Sequence, residues 1–396
     1  YLAYIPGGGV FPGALADLIA SGVNRYTGVW LTAPALVQLE ANVLDWLREW
    51  MQFPSTARGL FTTGGSMANF AAIVCARERK LGTELRRGTL YLSSETHHSV
   101  AKSAKLAGIL PDRVRAIPVD AAFRMRIDRL ADAIATDRAA GLTPFLVVSS
   151  AGTTNTGAVD PLREIAALCL QEGLWHHVDG AYGASFHLCP ELRPLLAGLP
   201  EADSLTLDPH KGLFIPYGTG AVLVRDGEAL RAAHSETASY MPEDRAGTEF
   251  YDPHQFGPDL SRNFRGLPVW LAIKLYGAAR YRAALAEKRA LALDAAKRIA
   301  ALPHVVMDAP PQLSLFAFHL EWPGATLAEQ DAATRELLER VTRRGKVFIT
   351  GCHAGGRFLA RVCVLSFRTR QEQIDTCVEH IAEEVQALVS RGPRSQ

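Results

Sequence analysis

The sequence has almost no net charge, no apolar run of bilayer length and no pair of closely spaced cysteines. Its 42 Lys and Arg residues nearly balance its 41 Asp and Glu residues, so no net field attracts nucleic acid or an anionic membrane. No apolar stretch reaches the roughly 20 residues needed to span a bilayer, and no basic-apolar-small signal opens the chain. These absences predict a soluble protein whose partners are small molecules or other protein.

The six cysteines show neither a CxxC pair nor a regular spacing, which argues against a zinc ribbon and a disulfide framework. They stand at positions 75, 169, 189, 352, 363 and 377. We therefore expect reduced thiols and a cytoplasmic protein. The length of 396 residues predicts two or three units around at least one large core.

Between about residues 55 and 225, short apolar runs alternate with helical patterns. This alternation is typical of an α/β layer with a mostly parallel sheet. The predicted strands are Thr89–Leu92, Val114–Pro118, Phe145–Ser149, Trp175–Val178, Ser204–Leu207 and Gly220–Val224. Helices are predicted at Ser66–Leu81 and Pro161–Gln171. Ligands of such sheets bind outside the carboxyl ends of the strands, so the loops there are the first candidates for a site.

The pattern changes after the last of these strands. Residues Ala232–Asn263 are polar and rich in Pro, Gly, Asp and Glu, which predicts a long, mobile surface loop. A helix over Leu267–Leu302 and a last helix from Glu372 flank three further predicted strands. These strands are Leu313–Leu320, Lys346–Thr350 and Leu359–Ser366. We therefore predict a large domain over 13–270 and a smaller α+β domain over 271–396.

A lysine and an aspartate each follow a predicted strand. In DSLTLDPHKGLF, Lys211 comes after an apolar run and a Pro turn, beside Asp208 and His210. In LWHHVDGAYG, Asp179 precedes small residues, among them Ala181, that let a flat ring approach the backbone. Taken singly, such a lysine is usually a solvated charge and such an aspartate a helix cap.

Metal binding is the rival interpretation of the second segment. His176, His177 and Asp179 have side chains that bind metals. Adjacent residues of a strand point to opposite faces, however, so the two histidines cannot easily share one ion.

Two other segments supply an anion site and a flat side chain. FTTGGSMANF places Gly64, Gly65 and Ser66 before a helix, where free backbone N–H groups and the positive helix end face an anion. This segment fits neither GxGxxG nor GxxxxGK[ST], which counts against a dinucleotide or a nucleoside triphosphate. SSETHHSVAKSAKLAG offers His97 and His98 after a strand. The alternatives without a catalytic role are that the glycines only cap the helix and that the histidines are ordinary hydrogen-bonded loop residues.

An amine, a carboxylate, a flat side chain and an anion cup are together what pyridoxal 5'-phosphate (PLP) demands of a protein. The six segments that carry a family resemblance are TTGGSMAN, THHSVAKSAKLAG, SSAGTTNTGAVDP, HHVDGAYGASFHLCPELR, DSLTLDPHKG and NFRGLPVWLAIKLYG. In this order they resemble the group II PLP-dependent decarboxylases, which act on aromatic amino acids, histidine, tyrosine or glutamate. That resemblance covers nearly the whole chain and implies fold type I, the aspartate aminotransferase-like α/β fold.

The resemblance also implies roles for individual residues. It makes Lys211 the Schiff-base lysine, Asp179 the partner of the pyridine nitrogen and Ala181 a residue against the ring. Thr154 matches the threonine near the ring oxygen of the cofactor. His97, rather than its neighbour, matches the ring-stacking histidine, because the family pattern has His, a variable residue and then Ser.

The remaining cofactor positions follow in the same way. Gly65 and Ser66 match the phosphate cup, and Asp208 stands where the family commonly has Asn or Asp. His210 matches the histidine that contacts cofactor or substrate before the lysine. The resemblance further implies a homodimer with the active site at the interface, and residues 1–12 would be the remnant of an N-terminal dimer segment.

Tyr240 indicates the reaction type. In the family, a mobile loop carries a tyrosine that protonates Cα after carbon dioxide leaves, and Tyr240 in SETASYMPEDR takes that position. A phenylalanine there would indicate oxidative aldehyde formation. Tyr251 in the same loop is the competing candidate, and either tyrosine could instead anchor the loop by burying its ring.

Two other classes of function stay open at this point. A PLP aminotransferase or lyase would use an arginine to grip the α-carboxylate, and Arg361 or Arg368 could serve. A catalytically silent, scaffold-like relative is the other, and the intact Lys, Asp and His set argues against it.

The substrate expectation is an aromatic L-amino acid, with phenolic side chains preferred over indole. The predicted pocket residues are Tyr4, Ile5, Pro6, Tyr26, Trp30 and Tyr217, and such walls favour a flat ring over a second carboxylate. Ser261 aligns where indole-using members tend to have Gly. Gly7, Gly28 and Gly212 depart from the animal aromatic enzymes, which leaves glutamate, diaminobutyrate or histidine as alternative substrates.

Overall fold

The computed structural model describes residues 1–5, 8–236 and 250–390. The strands are β1 Arg58–Thr62, β2 Gly88–Ser93, β3 Val114–Ile117, β4 Thr143–Ser150, β5 Trp175–Asp179, β6 Ser204–Leu207, β7 Gly220–Val224, β8 Val305–Val306, β9 Leu315–Leu320, β10 Thr350–Ala354 and β11 Arg357–Cys363. The helices are α1 Phe11–Val23, α2 Pro34–Trp50, α3 Gly65–Leu81, α4 His98–Leu106, α5 Ile127–Ala139, α6 Leu162–Glu172, α7 Pro209–Gly212, α8 Gly227–Ala232, α9 Gly266–Ala300, α10 Leu327–Arg343 and α11 Gln371–Val389.

The larger sheet has seven strands in the order β1-β7-β6-β5-β4-β2-β3. Strands β2 to β6 run parallel, whereas β7 is antiparallel to both β6 and β1. Strand β1 consequently points the same way as the parallel strands. The carboxyl ends of β1, β2, β4, β5 and β6 therefore share one edge of the sheet.

Helices cover both faces of this sheet, and successive side chains of a strand pack against opposite faces. Leu90 and Leu92 pack on the side of α3 and α4, whereas Tyr91 between them packs on the side of α5 and α6. This period of two is the expected pattern for strands that are buried on both faces. The mostly parallel sheet with helices on both sides confirms the predicted α/β fold class.

A second, antiparallel sheet of four strands has the order β10-β11-β9-β8. Helices α9, α10 and α11 cover it and enclose a separate core. Helix α9 crosses the predicted domain boundary, and its helical geometry is interrupted at Gly277 (φ 74°, ψ 153°). Leu2 packs into this same core. The division into 1–12, 13–270 and 271–396 stays a prediction.

The strand predicted at Lys346–Thr350 is wrong, because the strand begins at Thr350. Val347 and Ile349 are buried while Phe348 between them is exposed, which is the alternation that misled the prediction. The carbonyl of Phe348 accepts a hydrogen bond from the backbone N–H of Leu2 at 2.9 Å. This segment therefore pairs locally with the start of the chain.

Within the described ranges, no helix is both long enough and apolar enough to cross a membrane. All six cysteines are unpaired thiols.

Candidate active site

One cavity of about 400 Å³ opens at the shared carboxyl edge of the larger sheet. It contains the predicted cofactor-binding residues Gly65, Ser66, His97, Thr154, Asp179, Ala181, Asp208, His210 and Lys211. These residues lie at, or shortly after, the carboxyl ends of β1, β2, β4, β5 and β6. The sheet topology thus brings together side chains up to about 150 positions apart in the sequence.

Lys211 and Asp208 form an ion pair on the floor of this cavity. The Lys211 Nζ lies 2.9 Å from Oδ2 of Asp208, a residue that is 1% exposed. Burial by itself would lower the pKa of Lys211, but the nearby carboxylate of Asp208, helped by Asp179, raises it. The free amine is therefore held in its charged form until its proton is removed.

His210 stands beside this pair as a neutral imidazole. Its Nδ1 lies 2.7 Å from the carbonyl oxygen of Thr219, which can only accept, so Nδ1 carries the proton. Burial lowers the pKa of His210, although Asp208 opposes that shift. The unprotonated Nε2 lies 3.6 Å from Oδ2 of Asp208.

Asp179 ends β5 and is held from two sides. Its Oδ2 accepts a hydrogen bond from Nδ2 of Asn69 at 2.9 Å, and its Oδ1 accepts one from the backbone N–H of Ala181 at 3.2 Å. The side chain is almost buried, with 8% exposure of the residue. This carboxylate is thereby fixed in orientation at the cavity wall.

His97 caps the first turn of α4 and faces the cavity, whereas its neighbour His98 is exposed. The Nδ1 of His97 lies 2.8 Å from Oγ of Ser99 and accepts from the Ser99 backbone N–H at 3.3 Å. Burial lowers the pKa of His97, with Asp179 opposing the shift. A neutral, flat ring is therefore available at this wall.

The start of α3 forms an anion-binding cup. The backbone N–H groups of Gly65 and Ser66 belong to the first turn, where no intrahelical acceptor exists. Gly64 has φ 153°, a conformation that favours glycine. A Cβ on Gly65 would lie 2.9 Å from Oδ2 of Asp208 and 3.0 Å from Cβ of Ala181. The glycine is therefore required for the close approach of these walls.

This donor set fits PLP. An amine, a carboxylate and a helix N-terminus face one cavity, which is what an aldehyde, a pyridine nitrogen and a phosphate need. The Oδ1 of Asp208 is buried without a hydrogen-bond partner, so the site retains unused accepting capacity. Lys211, Asp179, and the cup of Gly65 and Ser66 are the residues that would hold the cofactor.

The predicted substrate residues do not all reach this cavity. Tyr217 lines it, with its ring centroid 5.7 Å from that of His210. Tyr4, Gly28, Trp30 and Ser261 are not among the described residues that line it. Pro6, Gly7 and Tyr240 lie outside the described residues.

Three of the remaining candidates belong to a separate surface. The Trp30 ring packs on Phe250, with centroids 4.1 Å apart. The carbonyl of Gly28 accepts from both the backbone and the ring of His254, at 3.1 and 3.0 Å. Ser261 is exposed beside the same segment. Within one chain these residues therefore form a patch apart from the cofactor cavity.

The competing tyrosine has a structural role in the described chain. The hydroxyl of Tyr251 donates to the carbonyl of Gly59 at 3.0 Å, and its ring packs against Phe256. Burial raises the pKa of Tyr251. This tyrosine anchors the segment after residue 250 to β1.

The arginines considered for an aminotransferase also lie elsewhere. Arg361 donates to the carbonyls of Thr154 and Ala3, at 2.6 and 3.1 Å. Arg368 lies over the ring of Phe367, 4.3 Å from its centroid. Among the described residues that line the cavity, no arginine is found.

The adjacent histidines of β5 point to opposite faces, as the strand period requires. His176 Nε2 lies 2.8 Å from Oγ of Ser149, whereas His177 contacts Ser204 and Asn69. The two imidazole rings therefore cannot bind the same metal ion.

Sequence reasoning missed Asn69 and Ser99, which both line the cavity. Asn69 lies one helical turn after Gly65 and Ser66, so the helical period puts it on the same face of α3. A polar residue among the buried alanines of that face was the available signal.

The chain matches the model of the pyridoxal-dependent decarboxylase conserved domain over residues 1–321. The aromatic-L-amino-acid decarboxylase of Bacillus atrophaeus is 35% identical over 97% of this chain and 81% of its own length. The 4-hydroxyphenylacetaldehyde synthase of Rhodiola rosea is 31% identical over 98% of this chain and 81% of its own length.

A solved structure has the same fold. The Oryza sativa TDC, crystallised with PLP and tryptamine, superimposes with a TM-score of 0.92 at 28% identity, covering 98% of this chain and 83% of that one. The match therefore extends to a neighbour whose crystal contains the cofactor that the cavity fits. The chain belongs to the pyridoxal-dependent decarboxylase family and is a PLP-dependent amino-acid decarboxylase.

Proposed function

We propose that this enzyme converts an aromatic L-amino acid to its amine, with phenolic substrates preferred over indole ones. The observation that carries this proposal is the charge of the cavity wall. Among the described lining residues, Lys211 is the one lysine or arginine, while Asp179 and Asp208 are acidic. A second substrate carboxylate would find no free cationic partner there, and burying it unpaired costs several kcal/mol.

The names of two relatives support the same substrate class. One is an aromatic-L-amino-acid decarboxylase and another a 4-hydroxyphenylacetaldehyde synthase. The aromatic ring of Tyr217 at the cavity supports it as well. Ser261 as the residue that disfavours indole stays a prediction from the sequence.

The cofactor residues have distinct proposed roles. Bound PLP supplies an electron sink for the electron pair that remains when carbon dioxide leaves Cα. Lys211 would hold the cofactor through Nζ, an amine that Asp208 keeps in place. The Asp179 carboxylate would keep the proton on the pyridine nitrogen by ion pairing. His97 would stack on the ring.

Other residues are proposed to bind the cofactor phosphate, to contact the ring and to supply the proton that Cα receives. The N–H groups of Gly65 and Ser66 bind the phosphate at the start of α3. Thr154 would lie near the ring oxygen and Ala181 against the ring, and His210 would contact cofactor or substrate. Tyr240, which lies outside the described residues, donates the proton to Cα.

We also propose that the working enzyme is a homodimer. Gly28, Trp30 and Ser261 form a patch apart from the cavity of their own chain, so a second copy would have to present them to a cavity. Tyr4, Pro6 and Gly7 stay predicted substrate contacts, the last two outside the described residues. Exposed apolar side chains on α1, such as Phe11 and Leu18, supply a surface for such an interface.

The experiment is a comparison of kcat/KM for amine formation from seven amino acids. The panel is tyrosine, DOPA, phenylalanine, tryptophan, histidine, glutamate and diaminobutyrate. Tyrosine or DOPA should lead. A lead of more than about tenfold by glutamate or diaminobutyrate, roughly 1.4 kcal/mol of transition-state discrimination, would refute the aromatic proposal and leave the decarboxylase activity standing.

A further inference from the structure

A chain of buried hydrogen bonds runs beneath the cavity, between β5, β6 and α3. The Trp175 Nε1 donates to Oγ of Ser204 at 2.8 Å, and this Oγ lies 2.8 Å from Nδ1 of His177. His177 Nε2 lies 3.0 Å from Oδ1 of Asn69, which also accepts from Oγ1 of Thr206 at 2.7 Å. All five residues are at most 4% exposed. These bonds are therefore shielded from water.

The donors and acceptors of this chain have only one consistent direction. The Asp179 carboxylate can only accept, so Asn69 donates to it through Nδ2 and presents Oδ1, which can only accept, to His177. Nε2 of the neutral His177 therefore carries the proton, and its Nδ1 accepts from Oγ of Ser204, which itself accepts from the Trp175 indole. This fixes the tautomer of His177, and it fixes which end of the Asn69 amide faces His177.

The amide nitrogen of Asn69 consequently points toward the cavity. One hydrogen bond goes to Oδ2 of Asp179 at 2.9 Å and the other to Oγ of Ser99 at 3.3 Å. Ser99 in turn donates through Oγ to Nδ1 of His97 at 2.8 Å. A single amide thus supports both the carboxylate and the imidazole that we assign to the cofactor ring.

His177 is neutral in this arrangement. Burial lowers its pKa to about 4, although the nearby carboxylate of Asp179 opposes the shift. A neutral imidazole can orient Asn69 without a formal charge of its own to compete for Asp179.

We propose that His177 is a positioning residue, which acts through Asn69 to hold Asp179 and His97 in the geometry that binds PLP. This inference rests on the proposed roles of Asp179 and His97 at the cofactor ring. His177 itself is not among the described residues that line the cavity, so its effect on the cofactor is transmitted by Asn69.

The neighbouring His176 provides a matched control. It is on the same strand, it is equally buried, and its Nε2 makes one buried hydrogen bond to Ser149 at 2.8 Å. Its ring points to the opposite face of the sheet. If the histidines of β5 only stabilise the fold, His176→Phe and His177→Phe should have the same consequences.

The test measures the dissociation constant of PLP by titrating the apo-proteins, with visible circular dichroism of the bound cofactor as the report on ring orientation. His177→Phe should weaken PLP binding by about 10- to 100-fold, the range typical of losing an outer-shell partner at a metal site, and should change the dichroic band. His176→Phe should stay within about threefold of wild type. His177→Gln, whose amide can still donate to Asn69, should recover part of the loss.

Thr206→Val keeps the experiment decisive if His177→Phe does not fold. It removes one donor to Oδ1 of Asn69 at constant shape and should weaken PLP binding about fivefold. Wild-type affinity and dichroism in His177→Phe, or in Thr206→Val as its substitute, would overturn the inference. So would equal losses in His176→Phe and His177→Phe. Failure of the wild-type protein to bind PLP would instead overturn the proposed residue roles, and this inference with them.

Discussion

The Nζ of Lys211 lies 2.9 Å from Oδ2 of Asp208, three residues earlier in the chain. Asp208 follows β6 and Lys211 lies in the short helix α7, so the turn between them folds the amine back onto the carboxylate. The buried carboxylate raises the pKa of Lys211 above its ordinary value, against the effect of burial. Lys211, which we assign to the cofactor, therefore carries a protonated amine while no cofactor is bound.

We expect Asp208→Asn to capture PLP at lower pH than the wild type. Imine formation needs the neutral amine, and loss of the Asp208 carboxylate removes the contact that raises the pKa of Lys211. The rate of PLP capture by apo-protein, measured against pH, should therefore rise at lower pH in the variant. An unchanged profile would show that Asp208 does not control the amine.

Borohydride reduction of the PLP-loaded protein should fix the cofactor on Lys211. Lys211 is the lysine that lines the cavity among the described residues. Peptide mapping by mass spectrometry identifies the labelled residue. Lys211→Arg, which keeps a positive charge beside Asp208, serves as the control and should carry no label. A label on another lysine of the wild type would refute the assignment.

Asp179→Ala should lose far more activity than stability. The cofactor ring loses its proposed charge partner, so kcat should fall at least about 100-fold, which corresponds to roughly 2.7 kcal/mol of transition-state stabilisation. The melting temperature of the apo-protein should stay close to that of the wild type. Near-normal turnover in a folded variant would exclude Asp179 as the partner of the pyridine nitrogen.

Tyr240→Phe should bind PLP and substrate normally but make little amine. Without the proposed proton donor, dioxygen would take two electrons from the Cα carbanion and become hydrogen peroxide, and hydrolysis would then release the aldehyde and ammonia in place of the amine. Amine and aldehyde are quantified together by chromatography. Tyr251→Phe is the comparison, because its hydroxyl already donates to Gly59 at 3.0 Å. Normal amine formation in Tyr240→Phe with loss in Tyr251→Phe would reverse the assignment.

The apo-protein should lose stability as the pH falls below about 6.5. Burial lowers the pKa of His176 to about 3, so the unfolded chain takes up a proton that the folded chain refuses. The contribution of His176 is complete above the unfolded pKa and declines toward the folded one, by about 1.4 kcal/mol per pH unit. Urea unfolding of His176→Phe should show a flatter decline between pH 6.5 and 4. Parallel curves for the two proteins would contradict this origin.

Local sequence patterns were sufficient for the α/β class and for most strands of the larger sheet. The predicted strand Ser204–Leu207 coincides with β6, and Gly220–Val224 coincides with β7. Fully buried strands have continuous apolar runs bounded by turns, so their positions can be read from composition alone. The short β1 was missed, because Arg58–Thr62 contains only two large apolar residues.

The residues that line the cavity could be predicted because each lies at or shortly after the end of a strand. Asp179, Lys211 and His97 occupy such positions, and the parallel topology gathers strand ends at one edge. The family resemblance then separated His97 from His98, and the structure puts His97 at the cavity. The homodimer, the substrate and the role of Tyr240 stay predictions.

The sequence by itself determined the fold class, the cofactor and the strand ends that carry the chemistry, because these depend on local periodicity and on short motifs. Only the tertiary structure decided that Asn69 links Asp179 to His177, residues more than 100 positions further along the chain. It also decided that Tyr251 anchors on Gly59 and that Leu2 pairs with Phe348. Such contacts depend on which buried donor meets which acceptor after the chain has packed, and no local pattern encodes that pairing.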